Sequence, residues 1–305
     1  MKNHAFLFTV YNQPRLLARS LEVLSKQNHH FFIHVDAKSN KNQAFREATA
    51  HIPNVHFVKS IPVYHGKISQ VYSIIILIDE AINSNIDFDY FHLLSGQDYP
   101  LRSNEQFDCF FEQTDHSFMC YDFGEFKESM QPVYKRMVNH FHPNKSRTFA
   151  SNLYEKLHIG NIIALIYKRP TINHFASGWD WFSWNRETCK FVIDELKTNK
   201  KLLQRFNYTI SPTEHMFHTI LSPHIEDLKI ETDNPLRYVS WYEHRQIETD
   251  YRPYDLNELD FEYVIKSKAF FCRKVDEHKS ARLLDMIDNN RGKSFDINLA
   301  SSVFE

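Results

Sequence analysis

The sequence reads as an α/β fold with a mostly parallel central sheet, and three observations lead there. In its first half, short apolar runs alternate with segments of helical periodicity, the order that strand–helix–strand units produce. Two of those runs stop abruptly at polar turns, Asp36 and Ser95-Gly96, as strands do where a sheet presents its ligand edge. No repeat, low-complexity tract or Gly/Ser linker interrupts the chain, so its 305 residues form one continuous domain, 1–305, with a regularly alternating half (1–122) and a less regular half (123–305).

The elements follow in order. Ala5–Val10 is a buried-strand run. Pro14 suits a first helical turn, and Leu16, Leu17, Leu21 and Leu24 share a face behind it. Phe31–Val35 and Val55–Val58 are the second and third strands. Ile68–Ala81, apolar nearly all round, is a buried helix. Tyr90–Leu94 is a fourth strand, Ser103 caps a short helix through Phe111, and Phe118–Tyr121 is a fifth strand. The second half is less regular. Phe123–Pro170 is rich in basic and aromatic residues, with a helical stretch near Asn152–Leu157, and has the character of an insertion or an acceptor-side segment. Glu187–Thr198, Thr213–Leu221 and Lys279–Asn289 are expected helices.

Composition narrows the function. Hydrophobic residues at 42% and charged residues at 24% exclude a disordered chain. A net charge of −2 gives no general pull toward nucleic acid. Glycine is scarce at 6 residues, which leaves little material for glycine-rich phosphate loops, and aromatics reach 15%, which suits a large core or a site that stacks rings. Cys109, Cys120, Cys189 and Cys272 have irregular spacing, so neither a zinc ribbon nor a disulfide framework is expected. The amino terminus runs straight into strand-like sequence without a signal-peptide pattern, and the apolar stretches Ile74–Ile78 and Ile159–Tyr167 are short of a bilayer span. The expected location is the cytoplasm, with peripheral contact at the inner face of the membrane.

Five constellations can carry chemistry, each beside a plainer reading. Asp36 closes Ile33-His34-Val35-Asp36, where an acid can meet a ribose, a base edge or a metal, or can simply start a turn. No Asp-x-Asp accompanies it, so a metal–diphosphate clamp is not indicated. In Ser95-Gly96-Gln97-Asp98-Tyr99-Pro100, Gln97 and Asp98 can bind sugar hydroxyls, or Asp98 can hold its own backbone. Trp179, Trp181 and Trp184 alternate along one segment, with one face for the core and another able to stack a sugar. In Ser211-Pro212-Thr213-Glu214, Glu214 is either a general base or a first-turn carboxylate that the helix dipole keeps ionised. Arg252 and the Arg273-Lys274 pair can grip a diphosphate, or can be solvated charge. His29, His30, His140 and His142 show no ligand spacing and read as surface or core residues.

In this order, the segments Ile33–Asp36, Leu94–Pro100, Ser211–Glu214 and Phe271–Asp276 resemble the core-2/I-branching β-1,6-N-acetylglucosaminyltransferase family, which also contains the peptide O-xylosyltransferases. The resemblance runs from about Ala5 to Asp276 and implies a glycosyltransferase-A type fold. It implies inverting transfer of a sugar, N-acetylglucosamine first, from a UDP-sugar to a hydroxyl of a glycan or lipid-linked glycan acceptor, without a metal or other cofactor. Glu214 then matches the catalytic base, Arg252 and Lys274 the cations that take the place of a metal at the diphosphate, and Asp36 the nucleoside contact. Asp98, with Gln97, lies in the loop that supports sugar and acceptor, and Trp181 joins them as a ring for the sugar. Tyr64-His65-Gly66-Lys67 stands where many relatives carry Trp, and the secreted relatives' cysteine framework and anchor are missing, which points to a bacterial enzyme of surface-polysaccharide synthesis. The alternatives are a metal-dependent transferase of another UDP-sugar such as xylose, and a non-catalytic glycan-binding module.

Overall fold

The computed structural model describes residues 1–122, 153–166 apart from 155 and 158, 174–240 and 253–292. Most of Phe123–Pro170 and all of Arg252 lie outside the described residues.

Among the described residues the central sheet has seven strands in the order β3-β2-β1-β4-β7-β6-β8. These are β1 (His4–Val10), β2 (His29–Val35), β3 (Val55–Phe57), β4 (Tyr90–Ser95), β6 (Ser117–Tyr121), β7 (Gly178–Asn185) and β8 (Ile230–Glu231). β1 pairs in parallel with both β2 and β4, and β2 with β3. β7 runs antiparallel to both neighbours, β4 and β6. The alternating elements indicated the parallel half. β7's direction was not legible, because an aromatic strand reads alike in either sense.

The pleat sorts side chains onto two faces. Ala5 and Leu7 enter a cluster with Val71, Ile74, Leu77 and Ile78 of α3 (Ile68–Ile82), while Phe6, Phe8 and Val10 enter another with Leu17, Leu21 and Leu24 of α1 (Pro14–Leu24). α2 (Asn42–Thr49) and α4 (Asn104–Glu112) cover the second face as well, through Phe45 and through Phe107, Phe110 and Phe111. Ser103 caps α4 as expected: it accepts from the Gln106 amide while the Gln106 side chain accepts from the Ser103 amide. α5 (Ile159–Ile166) follows the undescribed segment. The first face is completed by α6 (Arg186–Thr198), α7 (Lys200–Phe206) and α8 (Met216–Leu221).

A three-stranded sheet, ordered β5 (Tyr99–Pro100), β10 (Phe271–Arg273) and β9 (Arg237–Val239), brings the carboxyl-terminal part against the β4 turn. α9 (Phe261–Lys266) and α10 (Ala281–Asn290) pack behind it with Leu16 and Tyr99. Gly178 opens β7 where no side chain fits: a Cβ there would lie 2.0 Å from the Cys120 carbonyl and 2.6 Å from His218 Nε2. Among the described residues no helix is long and apolar enough to cross a membrane.

Candidate active site

β1, β2 and β4 end on one edge, and β4 lies on the opposite side of β1 from β2. That reversal opens a crevice beyond the carboxyl ends of the strands. Asp36 follows β2 there. Its Oδ1 accepts from the amides of Lys38 and Val63, both at 3.0 Å, and Lys38 Nζ stands 3.5 Å from Oδ2. The turn-starting role is therefore real, and it does more than cap. By holding Val63 it fixes the loop that carries Tyr64, His65 and Gly66. Gly66, at φ +66° where a glycine is favoured, accepts from the Ser211 amide at 3.0 Å. One hydrogen-bonded path thus leads from Asp36 to the segment bearing Glu214.

Glu214 departs from the expectation of a helix-start carboxylate. Thr213–Leu221 is not a single helix: Pro212–Glu214 is one 3₁₀ turn, and α8 begins only at Met216. Ser211 sits at φ 44° and makes no side-chain capping bond. Without a helix long enough to supply a dipole, the surroundings decide the proton. Burial comes first, then the charges of Asp180 and Asp122, and together they push the Glu214 carboxyl well above the usual carboxylate range against a hydrogen bond from Ser211. Burial raises Asp180 as well, opposed by a hydrogen bond from Thr213 and by Arg273 and His65. Asp180 Oδ1 is buried without a hydrogen-bond partner among the described residues. Two carboxyls in one small volume cannot both ionise cheaply, so the pair retains a proton at pH values where a solvated Asp or Glu has lost it.

Asp180 was missed in the sequence, although a signal was there. An acid between Trp179 and Trp181 on a strand with one core face is a buried charge, and such charges are rare without a partner. Asp180→Asn is expected to lower the Glu214 pKa and so move the acid limb of kcat/KM toward lower pH. Measuring kcat/KM against pH in both proteins checks this, and an unmoved limb refutes the coupling.

Asp98 is committed within the protein. Its Oδ2 accepts from the Ser95 amide at 2.7 Å and the Ser95 hydroxyl at 2.6 Å, and the Arg273 guanidinium meets the same oxygen at 3.1 Å. Both members of this ion pair are buried. The Arg273 guanidinium also lies over the Trp181 ring, 3.8 Å from its centroid, so one face of that ring holds a cation. Gln97 accepts from the Val275 amide through its carbonyl at 3.0 Å, and the Lys274 carbonyl accepts from the Leu256 amide at 2.8 Å. These backbone bonds set Lys274 beside the β4 turn, next to Arg273. The geometry thus joins Asp98, Gln97, Trp181, Arg273 and Lys274 in one wall, and Arg273 acts electrostatically on Asp180 and through it on Glu214.

Residues 4–265 match the Core-2/I-branching enzyme family. The chain belongs to that glycosyltransferase family. The described sheet is mostly parallel and flanked by helices, the α/β class that the sequence indicated. Among curated Core-2/I-branching relatives, xylosyltransferase 2 of Rattus norvegicus is 25% identical over 93% of this chain and 33% of its own length. A xylosyltransferase of Ciona intestinalis is 25% identical over 90% of this chain and 32% of its own. Xylosyltransferase 1 of Homo sapiens is 24% identical over 93% and 30%. The chain therefore spans about a third of the length of the curated relatives it matches. Solved structures similar to it include galactosyltransferase LgtC with donor and acceptor sugar analogs, at TM-score 0.43 and 8% identity over 97% of this chain and 98% of that one. Mouse xyloside xylosyltransferase 1 in its apo form gives TM-score 0.37 and 11% identity over 89% and 97%.

Proposed function

We propose that this Core-2/I-branching enzyme is an inverting glycosyltransferase that moves a sugar from a UDP-sugar to a hydroxyl of a glycan or lipid-linked glycan, with no metal at the diphosphate. The observation that carries the reading is Glu214: a half-buried carboxyl that burial first, and then the charge of Asp180, hold above its ordinary range, with Asp180 in turn under the field of Arg273.

A general base works best with a pKa near the working pH, and burial beside Asp180 shifts Glu214 that way. In the proposed step, an ionised Glu214 oxygen accepts the proton of the acceptor hydroxyl as that oxygen bonds the anomeric carbon. The bond from that carbon to the diphosphate breaks on the opposite face, and UDP leaves with the electron pair. Lys274, with Arg252 as its companion, neutralises the growing charge, which helps the transition state more than the ground state. Asp36 contacts the nucleoside. Asp98 and Gln97 serve sugar and acceptor, Asp98 by holding Arg273 and the turn. Trp181 offers the sugar its remaining surface. Residues 1–122 form the nucleotide-binding half and 123–305 the acceptor half of one domain.

N-acetylglucosamine is the leading donor sugar, and xylose is the second reading, favoured by relatives named xylosyltransferases. A cytoplasmic site of action, with peripheral membrane contact and a role in bacterial surface-polysaccharide synthesis, completes the proposal. Incubating the protein with a panel of UDP-sugars, and following UDP release with and without EDTA, tests it. Release that needs added manganese overturns the metal-free reading, and no release from any donor overturns the transferase. Lys274→Ala is expected to weaken UDP binding by about 1.5 to 3 kcal/mol, the worth of a charge-assisted contact, in isothermal titration. Unchanged affinity would remove Lys274 from the clamp.

A further inference from the structure

We propose that His4, His29 and Asp108 form a zinc site at the amino-terminal edge of the central sheet, a strand's length from the crevice. His4 and His29 open β1 and β2 and face each other directly in register, on the face covered by α4, which supplies Asp108. Strands of seven residues set this edge about 20 Å from the ends that carry Asp36 and the Ser95 turn.

The hydrogen bonds leave one nitrogen of each ring facing Asp108. His29 Nδ1 stands 2.7 Å from the Leu24 carbonyl, which can only accept, so that nitrogen carries the hydrogen. His29 Nε2 then points at Asp108 Oδ1, 2.9 Å away. His4 Nδ1 lies 3.1 Å from His92 Nε2, and His92 Nδ1 lies 2.9 Å from the Ser183 hydroxyl. That row crosses β1, β4 and β7 on one face, and with His92 donating through Nδ1 to Ser183 it gives the His4 Nδ1 hydrogen an acceptor. His4 Nε2 is buried without a hydrogen-bond partner among the described residues, 3.8 Å from the same Asp108 oxygen. The ring itself is fully buried.

Three donor atoms therefore converge within 4.8 Å of one another, two imidazole nitrogens and a carboxylate oxygen. A backbone carbonyl and a second histidine hold the far nitrogens of the two rings, which is how ligating histidines are usually oriented. Lys26 occupies the other oxygen of Asp108, and the Asn28 amide donates to Oδ1 at 3.3 Å, so the carboxylate can offer one oxygen inward. Two histidines and one carboxylate suit zinc, whose bonds of about 2.0 to 2.2 Å place ligand atoms roughly 3.3 to 3.6 Å apart in a tetrahedron. His29 Nε2 and His4 Nε2 stand 2.9 and 3.8 Å from Asp108 Oδ1, each within about half an ångström of that spacing. This is a structural role: it ties α4 to the first two strands.

The test uses the full chain, stripped with a chelator, loaded with zinc chloride and desalted. Bound metal is counted by mass spectrometry, and melting is followed with and without the metal. One equivalent of zinc per chain is expected, with a higher Tm when loaded. His4→Gln and Asp108→Asn should each lose that equivalent and the zinc-dependent shift in Tm, while His51→Gln, at an exposed histidine, keeps both. A folded wild type that retains no zinc overturns the site and leaves a proton between His29 and Asp108 instead. Zinc retained undiminished in the folded His4→Gln and Asp108→Asn proteins overturns it too. Should those variants fail to fold, cobalt loading of the wild type decides: intense tetrahedral bands support the site, and a weak octahedral spectrum or no binding rejects it. Because melting and stoichiometry are read here, the result is separable from any metal requirement of the transfer reaction.

Discussion

Glu214→Gln is expected to lower kcat by roughly 10²- to 10⁴-fold while UDP binding stays as it was, the usual worth of a positioned proton acceptor. Glutamine keeps the shape and can still meet the acceptor hydroxyl. It cannot take the proton, so the loss falls on the chemical step. Steady-state transfer and isothermal titration with UDP, run on the same preparation, separate the two quantities. The sign with pH is also determined. Burial and then Asp180 hold the Glu214 pKa up, so activity is lost as pH falls through that raised value, in a range where an ordinary carboxylate would still be ionised. The Gln variant's residual rate should lack this limb. Turnover at the wild-type level in Glu214→Gln would strike out the base.

Asp98→Ala is expected to destabilise the fold by about 3 to 5 kcal/mol, because it leaves the Arg273 guanidinium buried without its counter-charge. The Ser95 amide and hydroxyl lose their acceptor in the same step. Chemical denaturation in the absence of any sugar measures this directly. A carboxylate whose only work is to bind sugar would leave the free protein's stability unchanged, so this measurement separates the two roles. Replacing both partners, Asp98→Leu with Arg273→Met, should recover much of the loss, since a buried pair exchanged for apolar groups of similar size is often close to neutral. No recovery would mean that Asp98 acts through Ser95 and not through Arg273.

Much of the fold was legible because local patterns report it. Pro14 at a helix start, the Leu16–Leu24 stripe, the Ser103 cap and the apolar runs of β1, β2 and β4 each became the element they suggested. The break at Glu214 was not legible. Ser-Pro-Thr-Glu is a sound helix-start pattern, and only contact with the Gly66 loop and the β7 strand turns it into a single 3₁₀ turn. The two readings of Asp98, hydroxyl binder or holder of its own turn, left out Arg273 because nothing nearby in sequence announces a partner 175 positions away. His29 showed no ligand spacing for a related reason: in a parallel sheet, register partners come from different strands, and the chain between them carries no period.

The sequence by itself determined the order of strands and helices, the carboxyl-edge location of Asp36 and the β4 turn, and the family, since these depend on neighbours along the chain. The tertiary structure alone decided which charges meet. Whether Glu214 keeps its proton, whether Asp98 is satisfied and whether two histidines face one acid all depend on burial and on distances across strands. Electrostatic energy falls with separation in space, and position along the chain does not encode that separation.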